Sequence, residues 1–246
     1  MPLEKLFDST QDTPLPDALY QQIAFPTPPD DRPYIYINMA STVDGKIVIG
    51  EAGGTAKGVG GPTDQVLFRR LQHCCDACLI GSATLRASNV IYPMDKLRFV
   101  VTRTGDIPLE NRFFTDAPER AFVLAPHNLP DEIKTRLEKG TNLIMIGEGS
   151  VDLTAAMKLL RQVHSVRILL CEGGATLNDD LIRTGLADEL FLTLAPKLKG
   201  GSHLPTVIDG EGLPAGHYLP LTLLSLYEDA NELYLRYRLA PSAVTA

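Results

Sequence analysis

Short, unbroken apolar runs recur along the middle of the chain, and segments of helical spacing fall between many of them. The runs are YIYINMA (34–40), ACLIG (77–81), RFVVT (98–102), AFVLA (121–125), NLIMIG (142–147), VRILLC (166–171) and ELFLTLAP (189–196). An unbroken apolar run leaves no polar face, so such a strand is buried on both sides. Buried strands joined through helices build a parallel sheet covered by two helical layers. Helices are predicted over 65–73 with Thr63 or Asp64 as cap, over 130–140 with Gly140 as the stop, over 152–164 capped by Asp152, and over 176–185 ending at Gly185. The runs 221–228 and 231–240 are joined through a short turn at Asp229-Ala230-Asn231 and read as a hairpin, which makes the sheet mixed. The expected fold is therefore α/β: a three-layer, mostly parallel mixed sheet with helices on both faces and a C-terminal antiparallel hairpin.

Residues 1–33 carry seven of the 18 prolines: Pro2, Pro14, Pro16, Pro26, Pro28, Pro29 and Pro33. Proline breaks helix and sheet ladders, so this stretch is predicted to be an extended arm, with a turn or two of helix around Asp17–Ile23. It is read as covering the domain, reaching a partner subunit, or forming a plain leader. One folded domain then spans 34–240, and 241–246 is a tail. The terminal hairpin is long and apolar, and an uncovered edge strand invites a second copy, so a homodimer is expected.

Acidic residues outnumber basic ones, 30 to 23, giving a net charge of −7. That excludes a general nucleic-acid coat, although a few arginines and helix N-termini suffice for a small anion. No apolar run approaches the roughly 18–20 residues of a membrane span, and MPLEKLFDST carries no secretory signature. Four cysteines (Cys74, Cys75, Cys78, Cys171) do not make a disulfide framework in a chain this long, so a reducing cytoplasm is expected. Cys75 and Cys78 form a C-x-x-C without a second pair or a histidine at ligand spacing. They are read as core residues, and no metal site is predicted.

The motif that most suggests a ligand is CEGGATLND (171–179), two glycines between an apolar strand and a helix. A helix N-terminus behind glycines suits a pyrophosphate, and a simple strand-to-helix connection fits the local pattern equally. Glu172, at the C-terminal end of a predicted parallel strand, sits where open α/β sheets bind ligands. In MASTVDGKI (39–47), Asp44-Gly45 reads as a turn and is followed by Lys46 and a glycine-rich stretch to Gly61. Ser82, Thr84 and Arg86 follow the strand ending at Gly81. Thr102-Arg103 ends another strand and offers a hydroxyl and a guanidinium to a phosphate, or simply a solvated arginine. IGEGSVDL (146–153) is a further strand–glycine–helix turn.

In order, STVDGKI (41–47), DACLIGSATLR (76–86), VTR (101–103), GEGSVDL (147–153), CEGGATLN (171–178) and LADELFLTLAPKLKGG (186–201) resemble the pyrimidine reductases of riboflavin biosynthesis. These have a dihydrofolate reductase-like fold. The resemblance spans about residues 34–240. It implies an NADPH-dependent reductase whose substrate is a 5-amino-6-(5-phosphoribosylamino)uracil, the ribosyl group being reduced to ribityl. It implies that Gly173, Gly174, Ala175, Thr176 and Leu177 hold the cofactor pyrophosphate, and that Ser41 and Thr84 flank the cofactor. Thr102 and Arg103 would lie near the adenosine 2′-phosphate, with Thr42, Gly81 and Gly147 completing the set. Lys46 and Glu172 would face the substrate ribose, supported by Asp44. The family pattern has Leu-Arg where this chain has Leu71-Gln72, and an acidic turn before proline where it has Ser88-Asn89-Val90 and Ile91-Tyr92-Pro93. Other readings are the same hydride chemistry on another small heterocycle or carbonyl, and a silent cofactor-binding protein. A zinc deaminase signature, H-x-E with P-C-x-x-C, does not occur.

Overall fold

The computed structural model describes residues 3–10, 12, 15–89 and 91–240; Pro2, Pro14, Val90 and the expected tail 241–246 lie outside the described residues. The strands are β1 (Glu4–Asp8), β2 (Tyr34–Thr42), β3 (Ala77–Gly81), β4 (Leu97–Val101), β5 (Ala121–Ala125), β6 (Asn142–Met145), β7 (Ile168–Cys171), β8 (Glu189–Ala195), β9 (Leu221–Asp229) and β10 (Glu232–Leu239). The helices are α1 (Pro62–His73), α2 (Ser82–Ala87), α3 (Arg112–Thr115), α4 (Asp131–Gly140), α5 (Leu153–Gln162) and α6 (Ala175–Arg183). All ten strands form one sheet in the order β1-β9-β10-β8-β2-β7-β3-β4-β5-β6. From β8 to β6 every pairing is parallel, and β10, β9 and β1 add antiparallel strands at one side. This is the mixed, mostly parallel sheet read from the apolar runs. Among the described residues no helix is long and apolar enough to cross a membrane.

Strand pleating sends alternate side chains to the two helical layers. In β2, Tyr36 joins Leu71, Cys78, Val100 and Val123 on one face, while Ile35 and Ile37 join Leu79, Phe99 and Leu169 on the other. Cys75 and Cys78 are buried with their sulfurs 3.7 Å apart.

One local reading changes. The N-cap of α1 is Gly61, with Pro62 leading the helix, so neither Thr63 nor Asp64 is the cap. Pro62 has no amide proton to satisfy and its fixed φ suits the first helical position. The Thr63 hydroxyl instead donates to Asp229, and Asp64 turns inward. Asp152 does cap α5, accepting from the Ala155 amide at 2.9 Å.

Of the readings of the N-terminal stretch, the described residues show the one in which it covers the domain. Its β1 pairs antiparallel with β9, and a single 3-10 turn covers Pro16–Ala18. Beyond that turn, Leu19 and Tyr20 are buried, the Tyr20 ring meets Phe191 edge-on at 5.0 Å, and Phe25 stacks on Tyr36 at 4.8 Å. The expected boundary at residue 33/34 therefore falls inside one continuous sheet and core. The hairpin edge expected to be uncovered is covered by β1, so that edge does not itself call for a second copy. Leu19 is 1% exposed. Leu19→Ala should cost about 2–5 kcal/mol in urea denaturation, the range for a leucine removed from a packed core. No change in midpoint would mean that the segment is a leader after all.

A buried ionic cluster joins this segment to the sheet. Glu189 is fully buried and accepts from the Tyr34 hydroxyl at 2.9 Å and from Arg236 Nε and Nη2 at 2.7 and 3.2 Å. Arg236 also pairs with Asp12 at 2.9 Å, and its guanidinium lies over the rings of Phe25 and Phe191.

Candidate active site

Parallel strands bring their C-terminal ends to one edge of a sheet, where loops open a crevice. Here β2, β3, β4 and β7 end beside a cleft of about 1540 Å³. From the CEGG turn, Glu172 and Gly174 line it. The Gly81 amide donates to the Gly173 carbonyl at 2.8 Å, which presses this turn onto the end of β3. A Cβ on Gly81 would stand 3.3 Å from the Gly174 nitrogen, and Gly173 has φ +79° with the Met39 sulfur 3.0 Å from where its Cβ would be. The left-handed backbone at Gly173 favours glycine, and at Gly81 a side chain would press on the turn. The Gly173–Gly174 peptide is cis.

Gly174 and Gly81 are the N-caps of α6 and α2, and neither provides a side-chain cap. The first-turn amides of α6 therefore open toward the cleft with the positive end of the helix dipole behind them.

Of the residues singled out by sequence, Lys46, Gly81, Thr84, Arg103, Glu172, Gly174, Ala175, Thr176 and Leu177 line this cleft. Ser41, Thr42, Asp44, Thr102, Gly147 and Gly173 are not in its lining. Ser41 and Thr102 are buried, and the Thr102 hydroxyl accepts from the Gly105 amide at 3.0 Å. At the end of the Thr102 strand it is Arg103 and Thr104 that face the cleft. Gly147 lies in the turn behind Ser150 and Val151, which do line it.

Thr42 and Asp44 shape the turn that presents Lys46. The Thr42 hydroxyl donates to Asp44 at 2.7 Å and accepts from the Lys46 amide at 2.9 Å. Asp44 accepts from the Lys199 and Gly200 amides at 2.9 and 2.6 Å, which together with Thr42 hold its pKa down at about 2. The Lys46 ammonium donates to the Leu204 carbonyl at 3.3 Å. Lys197 donates to the Gly58 and Val59 carbonyls at 2.7 and 2.6 Å and so ties down the glycine-rich stretch, whose Gly53–Lys57 segment faces the cleft.

Glu172 is reached by two neutral donors. Its Oε1 accepts from Gln72 Nε2 at 2.8 Å and its Oε2 from the Tyr92 hydroxyl at 2.8 Å. Gln72 Oε1 in turn accepts from Arg69 at 2.8 Å. Burial outweighs these donors and pushes the Glu172 pKa up to about 7. Lys46 shares the cleft with Glu172, yet the carboxyl is satisfied by Gln72 and Tyr92. Burial also raises Asp64, a cleft residue on α1, to about 6.

Asp64 and Tyr92 escape the sequence reading as site residues, and Gln72 is noted there only as a departure from the family pattern. Asp64 resembles a cap because it follows Pro62-Thr63. Tyr92 sits in an irregular segment with no periodicity to orient it. Gln72 carries a signal: it adjoins the buried Leu67/Leu71 stripe of α1, where a polar side chain needs a partner.

The RibD C-terminal domain family matches residues 33–235. The 2,5-diamino-6-ribosylamino-4(3H)-pyrimidinone 5′-phosphate reductase of Methanothermobacter thermautotrophicus is 31% identical over 193 residues, covering 74% of this chain and 86% of that protein. The riboflavin biosynthesis protein RibD of Actinobacillus pleuropneumoniae is 28% identical, but this chain spans only 50% of its length. Among solved structures, a pyrimidine reductase-like protein from Corynebacterium diphtheriae superposes with a TM-score of 0.74 at 19% identity, over 86% of this chain and 94% of that one. Acinetobacter baumannii RibD gives a TM-score of 0.70 at 21% identity, over 85% of this chain and 59% of that one. The ordered motifs, the sheet and these matches agree, and the chain belongs to the RibD C-terminal domain family.

Proposed function

We propose that this protein is an NADPH-dependent pyrimidine reductase of riboflavin biosynthesis, converting the ribosyl group of a phosphorylated pyrimidine ribosylamine to ribityl. The observation that carries the reading is one cleft holding Lys46, Glu172 and the uncapped N-terminus of α6. The methanogen relative is named for a diaminopyrimidinone. The resemblance in sequence implies the corresponding aminouracil, which differs in having oxygen in place of the 2-amino group.

The residues present fit a dinucleotide. With no side-chain cap at Gly174, the α6 amides are left open to a pyrophosphate, with Ala175 and Thr176 in the first turn. Arg103 lines the same cleft, which supports assigning it to a 2′-phosphate. NADPH, when bound, supplies the hydride. The chain's part is to align the sugar and manage its charge. Lys46 offers its ammonium to a sugar oxygen that gains negative character as the ring opens. Glu172, with a pKa near neutrality, orients a ribose hydroxyl and can hold a proton for that oxygen. Four free thiols fit a reducing cytoplasm. The reading includes a homodimer, supported by the outermost strand β1, whose Leu6 and Phe7 are 50% and 44% exposed. A monomer by light scattering at micromolar concentration overturns that part.

The test is purified protein with NADPH and each of the two pyrimidines, following loss of reduced-cofactor absorbance. Oxidation with neither overturns the proposal. Arg103→Ala should weaken NADPH by about 1.5–3 kcal/mol, as for a lost hydrogen bond to a charged group, and leave NADH nearly unchanged. Equal affinity of the parent protein for the two cofactors would argue against the assigned role.

A further inference from the structure

Gln72 is fully buried, an expensive place for a primary amide unless both its ends are used. Both are. Arg69 has only donors, so the atom facing it must be the amide oxygen, and the amide nitrogen must then face Glu172. Gln72 thus sits as an oriented dipole between a cation and a carboxyl. Tyr92 closes the other side: its hydroxyl meets the second carboxyl oxygen, and its ring is wedged edge-on against Phe113 at 5.6 Å and 89°. Arg69 also donates to the Ile91 carbonyl, tying α1 to the segment that carries Tyr92. Of the groups packed around Glu172, Arg69 is the cation, while Cys78 on β3 and Cys171 on β7 are buried thiols held neutral by their surroundings. Lys46 and Asp64 line the same cleft.

We propose that Gln72 and Tyr92 are positioning residues of the reduction: by donating to the two oxygens of Glu172 they fix the carboxyl toward the cleft and set the pH at which it exchanges its proton. This rests on the reductase reading above. A guanidinium at position 72 would pair with Glu172 directly and hold it as an anion. The amide passes on only part of the Arg69 charge and leaves the carboxyl able to take up a proton near neutrality. Neither Gln72 nor Tyr92 lines the cleft, so both reach it through Glu172.

The experiment is an infrared titration of the Glu172 carboxyl in the full-length chain, with Glu172→Gln identifying the band, run on the parent and on Tyr92→Phe, Gln72→Met and Gln72→Arg. Loss of either donor should raise the midpoint by about 1–2 pH units, the equivalent of one hydrogen bond to a charged group. Gln72→Arg should lower it. The limb of the kcat–pH profile that belongs to Glu172 should move with the midpoint, while KM for NADPH stays unchanged. Packing damage alone cannot move a midpoint in both directions. An unmoved midpoint in Tyr92→Phe and Gln72→Met, with only a fall in melting temperature, overturns the proposal. Absence of turnover in the parent overturns the reductase reading instead, and the titration still decides whether these side chains govern the carboxyl.

Discussion

Glu172→Gln is expected to lower kcat by about 10²–10⁴-fold, the range for a lost acid–base group, with NADPH affinity nearly unchanged. kcat/KM should fall with kcat, because the interaction removed is one made in the transition state. The same substitution should stabilise the protein above neutral pH. In the folded chain burial raises the Glu172 pKa from the ordinary glutamate value of 4.5 to about 7. A raised acid pKa means that the folded state binds the extra proton between those values, so its contribution to stability declines as pH rises through that window. Above it, the ionised carboxyl costs at most about 3 kcal/mol, and less to the extent that water enters from the cleft. Glutamine removes that cost. It also fits the site: its oxygen can accept from Gln72, and the Tyr92 hydroxyl can turn from donor to acceptor. Melting curves at pH 5 and pH 8 alongside steady-state kinetics check both halves. A variant that melts lower at pH 8 and turns over normally would make Glu172 a structural residue.

The second large effect is on stability. Arg236→Met should cost about 3–5 kcal/mol, because it leaves the fully buried Glu189 to the Tyr34 hydroxyl and the Arg238 guanidinium 3.7 Å away and removes the partner of Asp12. For a chain of this size that is a fall in melting temperature on the order of 10 °C. Adding Glu189→Leu should restore part of the loss, since an apolar pair of similar volume avoids the uncompensated charge. A single variant as stable as the parent would show that water or another cation reaches Glu189.

How much of this was readable in the sequence follows from where each residue's signal resides. The parallel strands were legible because burial on both faces leaves a continuous apolar run, as in ACLIG and AFVLA. β1 was not: EKLFD is mostly exposed, and only its pairing with β9 makes it a strand. The prolines suggest an extended arm, but they say nothing of Leu19, Tyr20 and Phe25, whose burial is decided by the distant partners Tyr36 and Phe191. Lys46 and Glu172 were found because each stands at a strand end in a glycine-marked turn. Gln72 and Tyr92 act through a side chain 100 and 80 positions away, a distance that local pattern cannot bridge.

The same sheet order has a consequence for synthesis. β3, β4, β5 and β6 are neighbours both in the sheet and in the chain, so this block can pair as soon as it leaves the ribosome. β2 cannot: both of its neighbours, β7 and β8, lie beyond residue 167. β1 waits longest, since Glu4 pairs with Glu228. At about 5–20 residues per second, the outer strand spends on the order of 10–40 s without its partner. The apolar β2 is exposed on both edges for much of that time, and a nascent chain stalled before residue 221 holds β1 with nothing to pair against.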